Sequence, residues 1–173
     1  MRVAPSRLNK LMLARFTAPL ARVCMYIAVA GLIGIVGVVA VQVFGRYVLN
    51  DTPVWAESTA LVLVLYVTLL GAAVGVRDAG HIGMESLLVL VPERIRNRME
   101  LLIHALVAAF GAIMSWNGAI LAESVAGYKI PTLGISEAFN QAPLVISGAL
   151  IVLFSIEHII ARLRGEEVVP AWH

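Results

Sequence analysis

Four stretches of this chain, residues 23–45, 58–76, 101–122 and 138–156, carry no charged side chain. Their lengths of 23, 19, 22 and 19 residues match the roughly 20 that an α-helix needs to cross about 30 Å of hydrocarbon. In lipid, every backbone N–H and C=O must find its partner inside the structure, which leaves helices and closed barrels as spanning forms. The four runs are rich in Leu, Val, Ile, Ala and Gly and lack the alternation of a barrel strand. Helix is therefore the expected form. Composition points the same way. Of 173 residues, 60% are hydrophobic and only 14% are charged, with mean hydropathy +0.90, whereas a water-soluble domain is roughly a quarter charged. The single cysteine, Cys24, excludes an intramolecular disulfide framework and a cysteine-clustered metal site. Pro143 falls in the first turns of the last run, where a missing N–H costs little.

The segments between the runs set the expected orientation. Arg2, Arg7, Lys10, Arg15 and Arg22 precede the first span, Arg46 follows it, and Arg77, Arg94, Arg96 and Arg98 follow the second. Lys129 follows the third, and Arg162 and Arg164 follow the fourth. This 5, 1, 4, 1, 2 alternation predicts four spans with both termini in the cytoplasm. The first run is longer than a signal-peptide core and is read as a retained span. The net charge of +2 rests on basic residues beside membrane segments, so anionic lipid headgroups are the expected partners and nucleic acid is not.

The expected fold is thus an all-α integral membrane protein. Residues 1–20 form a basic cytoplasmic tail with an amphipathic segment, 21–158 a four-helix transmembrane domain, and 159–173 a cytoplasmic tail. Leu8, Leu11, Met12 and Arg15 share one side at helical spacing, suited to a helix in the headgroup plane. Met84, Leu87, Leu88 and Val91 recur likewise before Pro92, which predicts a short interfacial helix between spans two and three. A cytoplasmic handle for another protein would use the same features.

Candidate sites are few. Gly31, Gly34 and Gly37, with Gly71 and Gly75, are small enough to let membrane helices approach closely, within the chain or against another subunit. Gln42 can hydrogen-bond across to a neighbouring helix. The segment RYVLNDTPVWAE, residues 46–57, is the polar interruption between the first two spans. Asn50, Asp51 and Pro53 supply turn chemistry, Trp55 suits the headgroup layer, and Glu57 sits where a helix N-terminus favours negative charge. Arg46 is placed to pair with Asp51 or Glu57. Arg77, Asp78, His81 and Glu85 form a charged collar where the second span ends, without the spacing that selects a metal. His104 and His158 make axial haem ligation conceivable, though helix–helix hydrogen bonding or snorkelling to the interface explains them better. Asn117 is placed to reach a neighbouring helix. No catalytic motif is present, and no enzyme activity, cofactor or metal is expected.

The order and spacing of these features resemble a known family. RYVLN, then Pro53 and Trp55-Ala56-Glu57, resembles the first periplasmic hairpin of the small membrane subunit of tripartite ATP-independent periplasmic (TRAP) transporters. Gly71-Ala72-Ala73, Arg77 and His81-Ile82-Gly83-Met84-Glu85 resemble its second connection, and Pro131-Thr132-Leu133-Gly134-Ile135 with Pro143 its third. The resemblance spans about residues 20–165. Ser58 departs from the pattern, because many relatives carry a second acidic residue there; any contact it makes must be made differently in this chain. The resemblance implies an auxiliary subunit that braces a much larger, multi-span transport subunit in roughly 1:1 proportion. It also implies a periplasmic substrate-binding protein, sodium coupling and carboxylate substrates. In that setting Arg46, Tyr47, Asn50, Asp51, Trp55, Glu57, Arg77, Asp78, His81 and Glu85 are candidates for structural or subunit contacts. The lack of a visible internal repeat and of an acidic residue within the four runs argues against an autonomous carrier. The alternatives are a scaffold for a different membrane complex, a small autonomous transporter and a haem-bearing electron-transfer subunit.

Overall fold

The computed structural model describes residues 7–78 and 93–163, with side chains described for 17–78 and 95–163. Four helices account for nearly all of them: α1 Arg7–Phe44, α2 Val54–Asp78, α3 Glu93–Val125 and α4 Ala138–Leu163. Each contains a window long and apolar enough to cross a membrane. Among the described residues, extended pairing is confined to an isolated bridge between Lys129 and Ser136 in the α3–α4 connection. The short helix expected near Met84, with His81 and Glu85, lies outside the described residues, as does the tail from residue 164.

The basic stretch after Arg7 is helical and continuous with the first span. The 33 residues from Thr17 to Leu49 rise about 50 Å at 1.5 Å per residue, against about 30 Å of hydrocarbon. The helix must therefore tilt or carry its ends into the headgroup layers.

The helices pack as two antiparallel hairpins. The most extensive contact is α3 on α4, the next α1 on α2, and the face of α2 against α4 joins the pairs. Ala21 and Cys24 of α1, Leu70, Ala73 and Val74 of α2, and Leu150, Ile151 and Phe154 of α4 form the buried cluster, flanked by Val107 and Met114 of α3. One backbone-to-backbone approach of α3 and α4 is not singled out by the glycine spacing. A Cβ on Gly148 would lie 2.7 Å from the Gly111 carbonyl and 2.7 Å from the Ser115 nitrogen, and one on Gly111 would lie 2.9 Å from the Gly148 carbonyl. Of the expected small-residue positions, Gly31 and Gly34 do face α2, where a Cβ would meet Val67 at 2.6 Å and Leu63 at 3.4 Å. Nothing lies within 4 Å of a Cβ built on Gly37, Gly71 or Gly75. Gln42 is half-buried and makes no side-chain hydrogen bond. Asn117 bonds the Ile113 carbonyl of its own helix at 2.8 Å instead of a neighbour.

Pro143 also behaves differently from the sequence expectation. It is the sixth residue of α4 and buried, so its missing N–H leaves the Phe139 carbonyl, four residues back, without its intrahelical donor. The Tyr66 hydroxyl donates to that carbonyl at 3.1 Å from α2, and the Tyr66 and Phe139 rings lie 5.3 Å apart. Tyr66→Phe is expected to cost about 1 kcal/mol, because the carbonyl then loses its donor in a medium with little water. Unfolding in mild detergent would measure this, and an unchanged midpoint would show that the carbonyl finds another donor.

Candidate functional site: a buried polar network and an outer hairpin

Charged residues usually end a membrane span, yet here several lie inside the bundle at one end. Arg77, on the last turn of α2, is 2% exposed. Its Nε lies 3.3 Å from Glu157 Oε2 and its Nη1 2.9 Å from Asp78 Oδ1. Its guanidinium carbon sits 6.0 Å from the Phe154 ring centroid. Glu157 is also held from α1, where the Thr17 hydroxyl donates to Oε1 at 2.8 Å. One carboxylate thus ties α1, α2 and α4 together. His158 Nε2 lies 2.9 Å from the Arg77 carbonyl; because a carbonyl only accepts, that nitrogen carries the proton.

The network continues onto α3. His104 and His158 stack with centroids 4.6 Å apart and planes 3° from parallel. One turn further along both helices, Glu100 receives Arg96 Nε at 3.0 Å and pairs with Arg162 of α4. Across these contacts three arginines face three carboxylates. Such burial is tolerable only because each charge is paired and hydrogen-bonded. Glu157 and His158 lie just past the charge-free run that ends at residue 156, yet within the last helix. The helix continues to Leu163, and an acidic residue does lie within the bundle. A sequence signal existed, because Ile159 and Ile160 resume the apolar pattern directly after His158. Arg77 and Asp78, expected as part of a charged collar at the end of the second span, are buried. Thr17, Glu100, Glu157 and Arg162 were missed.

The opposite end of α1 and α2 holds the opening polar segment. Gly45–Leu49 form a π-helical turn, a rare form often found at functional positions. The Gly45 carbonyl accepts from the N–H of Asn50 and, at 3.1 Å, from that of Asp51. The chain reverses so tightly that a Cβ on Gly45 would sit 2.7 Å from the Asp51 carbonyl and 2.9 Å from Pro53. Asn50 has φ 53°, a left-handed conformation that asparagine tolerates better than most residues. Backbone geometry therefore holds this hairpin. Arg46, Asp51 and Glu57 are exposed, and Arg46 forms no ion pair with either acid. Tyr47 is 78% exposed and Trp55 46%, so the tip presents aromatic rings outward. Ser58 makes its own contact, accepting from the Thr132 hydroxyl at 2.6 Å and joining the start of α2 to the α3–α4 connection.

These arrangements have the character of helix clamps. Among the described residues, no group of three or more His, Cys, Asp or Glu is placed to hold a metal ion. Comparison with known proteins gives them a setting. The chain is 28% identical over 124 residues to the sialic acid TRAP transporter small permease protein SiaQ of Vibrio cholerae, covering 71% of each chain. It is 30% identical over 141 residues to the sialic acid TRAP transporter permease protein SiaT of Haemophilus influenzae, covering 80% of this chain but 23% of that longer one. Against the C4-dicarboxylate TRAP transporter small permease protein DctQ of Vibrio cholerae, it is 33% identical over 79 residues, 44% of this chain and 34% of the relative. Residues 35–165 match the family described as tripartite ATP-independent periplasmic transporters, DctQ component. That match takes in α2, α3, α4 and the end of α1, and the chain therefore belongs to the DctQ component family of TRAP transporters, as a transport subunit and not an enzyme.

Proposed function

We propose that this chain is the small auxiliary subunit of a sodium-driven, binding-protein-dependent importer of organic acids, and that it braces a large multi-span transport subunit against which substrate movement occurs. The observation that carries this reading is the Thr17–Arg77–Glu157 clamp. Its charged groups close on one another and lock three helices and so oppose relative helix motion. Alternating access needs such a stationary element beside a moving one. The relatives are named as permease components for sialic acid and C4-dicarboxylates, and carboxylated substrates are the class proposed. The partners are a large subunit in about 1:1 proportion and a periplasmic binding protein. The proposed orientation has both termini and the Arg77 end in the cytoplasm and the Asn50 hairpin in the periplasm, as the basic-residue alternation favours. Residues 1–20, 21–158 and 159–173 are the proposed tail, membrane domain and tail.

Buried Glu157 favours one competing reading, in which an acid inside a span couples ions in an autonomous carrier. Reconstitution separates the two. The 173-residue chain alone is expected to give no sodium-driven uptake, and uptake is expected once the large subunit and the binding protein are added. Cysteine labelling in intact cells is expected at Asp51 and Lys129 and not at Arg96. Uptake by the small chain alone would sink the auxiliary reading, and external labelling at position 96 would sink the orientation.

A further inference from the structure

The polar network holds two titratable rings side by side, His104 of α3 and His158 of α4. Both are buried, 7% and 3% exposed, and they lie face to face with centroids 4.6 Å apart and planes 3° from parallel. Ring nitrogen lone pairs lie in the ring planes, so two parallel rings do not converge on one ion. The stack is instead a joint of three helices. His158 donates from Nε2 to the Arg77 carbonyl in the last turn of α2, while the face of its ring rests on His104 of α3. Among the described residues, the surrounding charges are Arg77 and Asp78 from α2, Arg96 and Glu100 from α3, and Glu157 and Arg162 from α4; α1 brings the uncharged Thr17. Each of these carboxylates already receives at least one arginine.

Imidazole ordinarily changes charge between about pH 5 and 8, and what the stack tolerates depends on how many protons it holds. Two neutral rings stack, and one charged ring on a neutral one gains from the attraction of a cation for an aromatic face. Two charged rings with centroids 4.6 Å apart repel, and burial away from bulk water leaves that repulsion weakly screened. We propose that the His104–His158 stack is a proton-sensitive latch between α3 and α4, closed while at most one ring is charged and released when both are. The consequences differ by helix. An imidazolium still donates from Nε2, so His158 keeps its bond to α2, and the contacts of Glu157 with Arg77 and Thr17 stay in place. The part released is the α3–α4 contact around His104, between the Gly111–Gly148 approach on one side and the Glu100–Arg162 pair on the other. Acid therefore loosens α3 and leaves the α1–α2–α4 clamp shut. The latch rests on the fold and not on the transport reading; in the orientation proposed above it faces the cytoplasmic side.

The test uses the full chain in lipid nanodiscs, titrated from about pH 8 to about pH 5, the range over which histidine ordinarily titrates. Nitrogen resonances of the labelled histidine rings report proton uptake, and hydrogen exchange read by mass spectrometry, corrected for the intrinsic effect of pH, reports the opening of α3. His104 and His158 are expected to take up their protons in two separated steps, as interacting sites do. With the second step, exchange of the α3 amides around His104 is expected to rise at least tenfold, while those of α2 around Arg77 stay protected. His104→Phe keeps a ring in the stack and removes its charge; His158 is then expected to titrate in a single step, and the rise in exchange to vanish. His104→Gln, smaller and also uncharged, is expected to remove the rise as well. Unchanged exchange in the unmodified chain down to about pH 5 would overturn the proposal. So would a rise that persists in both uncharged variants, since it would belong to the carboxylates, and so would equal loosening of α2 and α3, since the whole network would then have opened.

Discussion

Glu157→Ala is expected to destabilise the folded chain by about 3–5 kcal/mol, the range for removing one member of a buried ion pair. The loss has three sources in the structure. Arg77, 2% exposed, is left with Asp78 as its paired carboxylate; the Thr17 hydroxyl loses Glu157 as acceptor; and the carboxylate link from α4 to α1 and α2 is gone. Arg77→Ala is expected to be comparably severe, because Glu157 and Asp78 both lose their contacts with the guanidinium. Replacing the two together, Arg77→Met with Glu157→Leu, is expected to cost clearly less than the sum of the single losses, as shared partners require. Recovery stays partial, since Asp78 still loses its 2.9 Å contact with Nη1. Equilibrium unfolding in mixed mild and denaturing detergent would give these values. A single-variant loss below about 1 kcal/mol would show that the pair does not hold the bundle together.

That network also marks where sequence reasoning reached its limit. Hydropathy located four spans because the cost of exposing a backbone to lipid depends on local composition, and all four helices appear. Charge-free intervals placed their ends less well, because a charge ends a span only when it must meet water. Glu157 meets Arg77 and Thr17, which lie 80 and 140 residues away, and no window of sequence contains that pairing. Local turn chemistry fared better. Asn50 and Pro53 were legible as turn residues, whereas the double acceptance by the Gly45 carbonyl depends on a π-helical turn that composition does not specify. Pro143 was legible as a proline in the first turns of the last run, but the Tyr66 donor to the Phe139 carbonyl, 73 residues away in sequence, was not.

Glycine spacing found the α1–α2 contact at Gly31 and Gly34 but not the approach of α3 to α4, and the contrast yields the second large effect. Close approach depends on what stands opposite, and Gly148 stands opposite Gly111 and Ser115. Gly148→Leu is expected to cost more than about 3 kcal/mol, at or above the upper end of overpacking losses, because its Cβ meets backbone atoms at 2.7 Å that no side-chain rotation can move. Gly71→Ala and Gly75→Ala should behave in the opposite way in the isolated chain. Nothing lies within 4 Å of either added Cβ, and alanine is favoured over glycine within a helix by about 0.8–1.0 kcal/mol, so these variants are expected to unfold no more easily than the parent. Their effect should surface in assembly. If the uncovered small-residue face of α2 is where a large subunit packs, bulkier Gly71→Leu is expected to leave the isolated fold intact yet reduce co-purification of the large subunit at least tenfold. Unchanged co-purification would move the partner interface away from this face, leaving Gly71 and Gly75 to lipid.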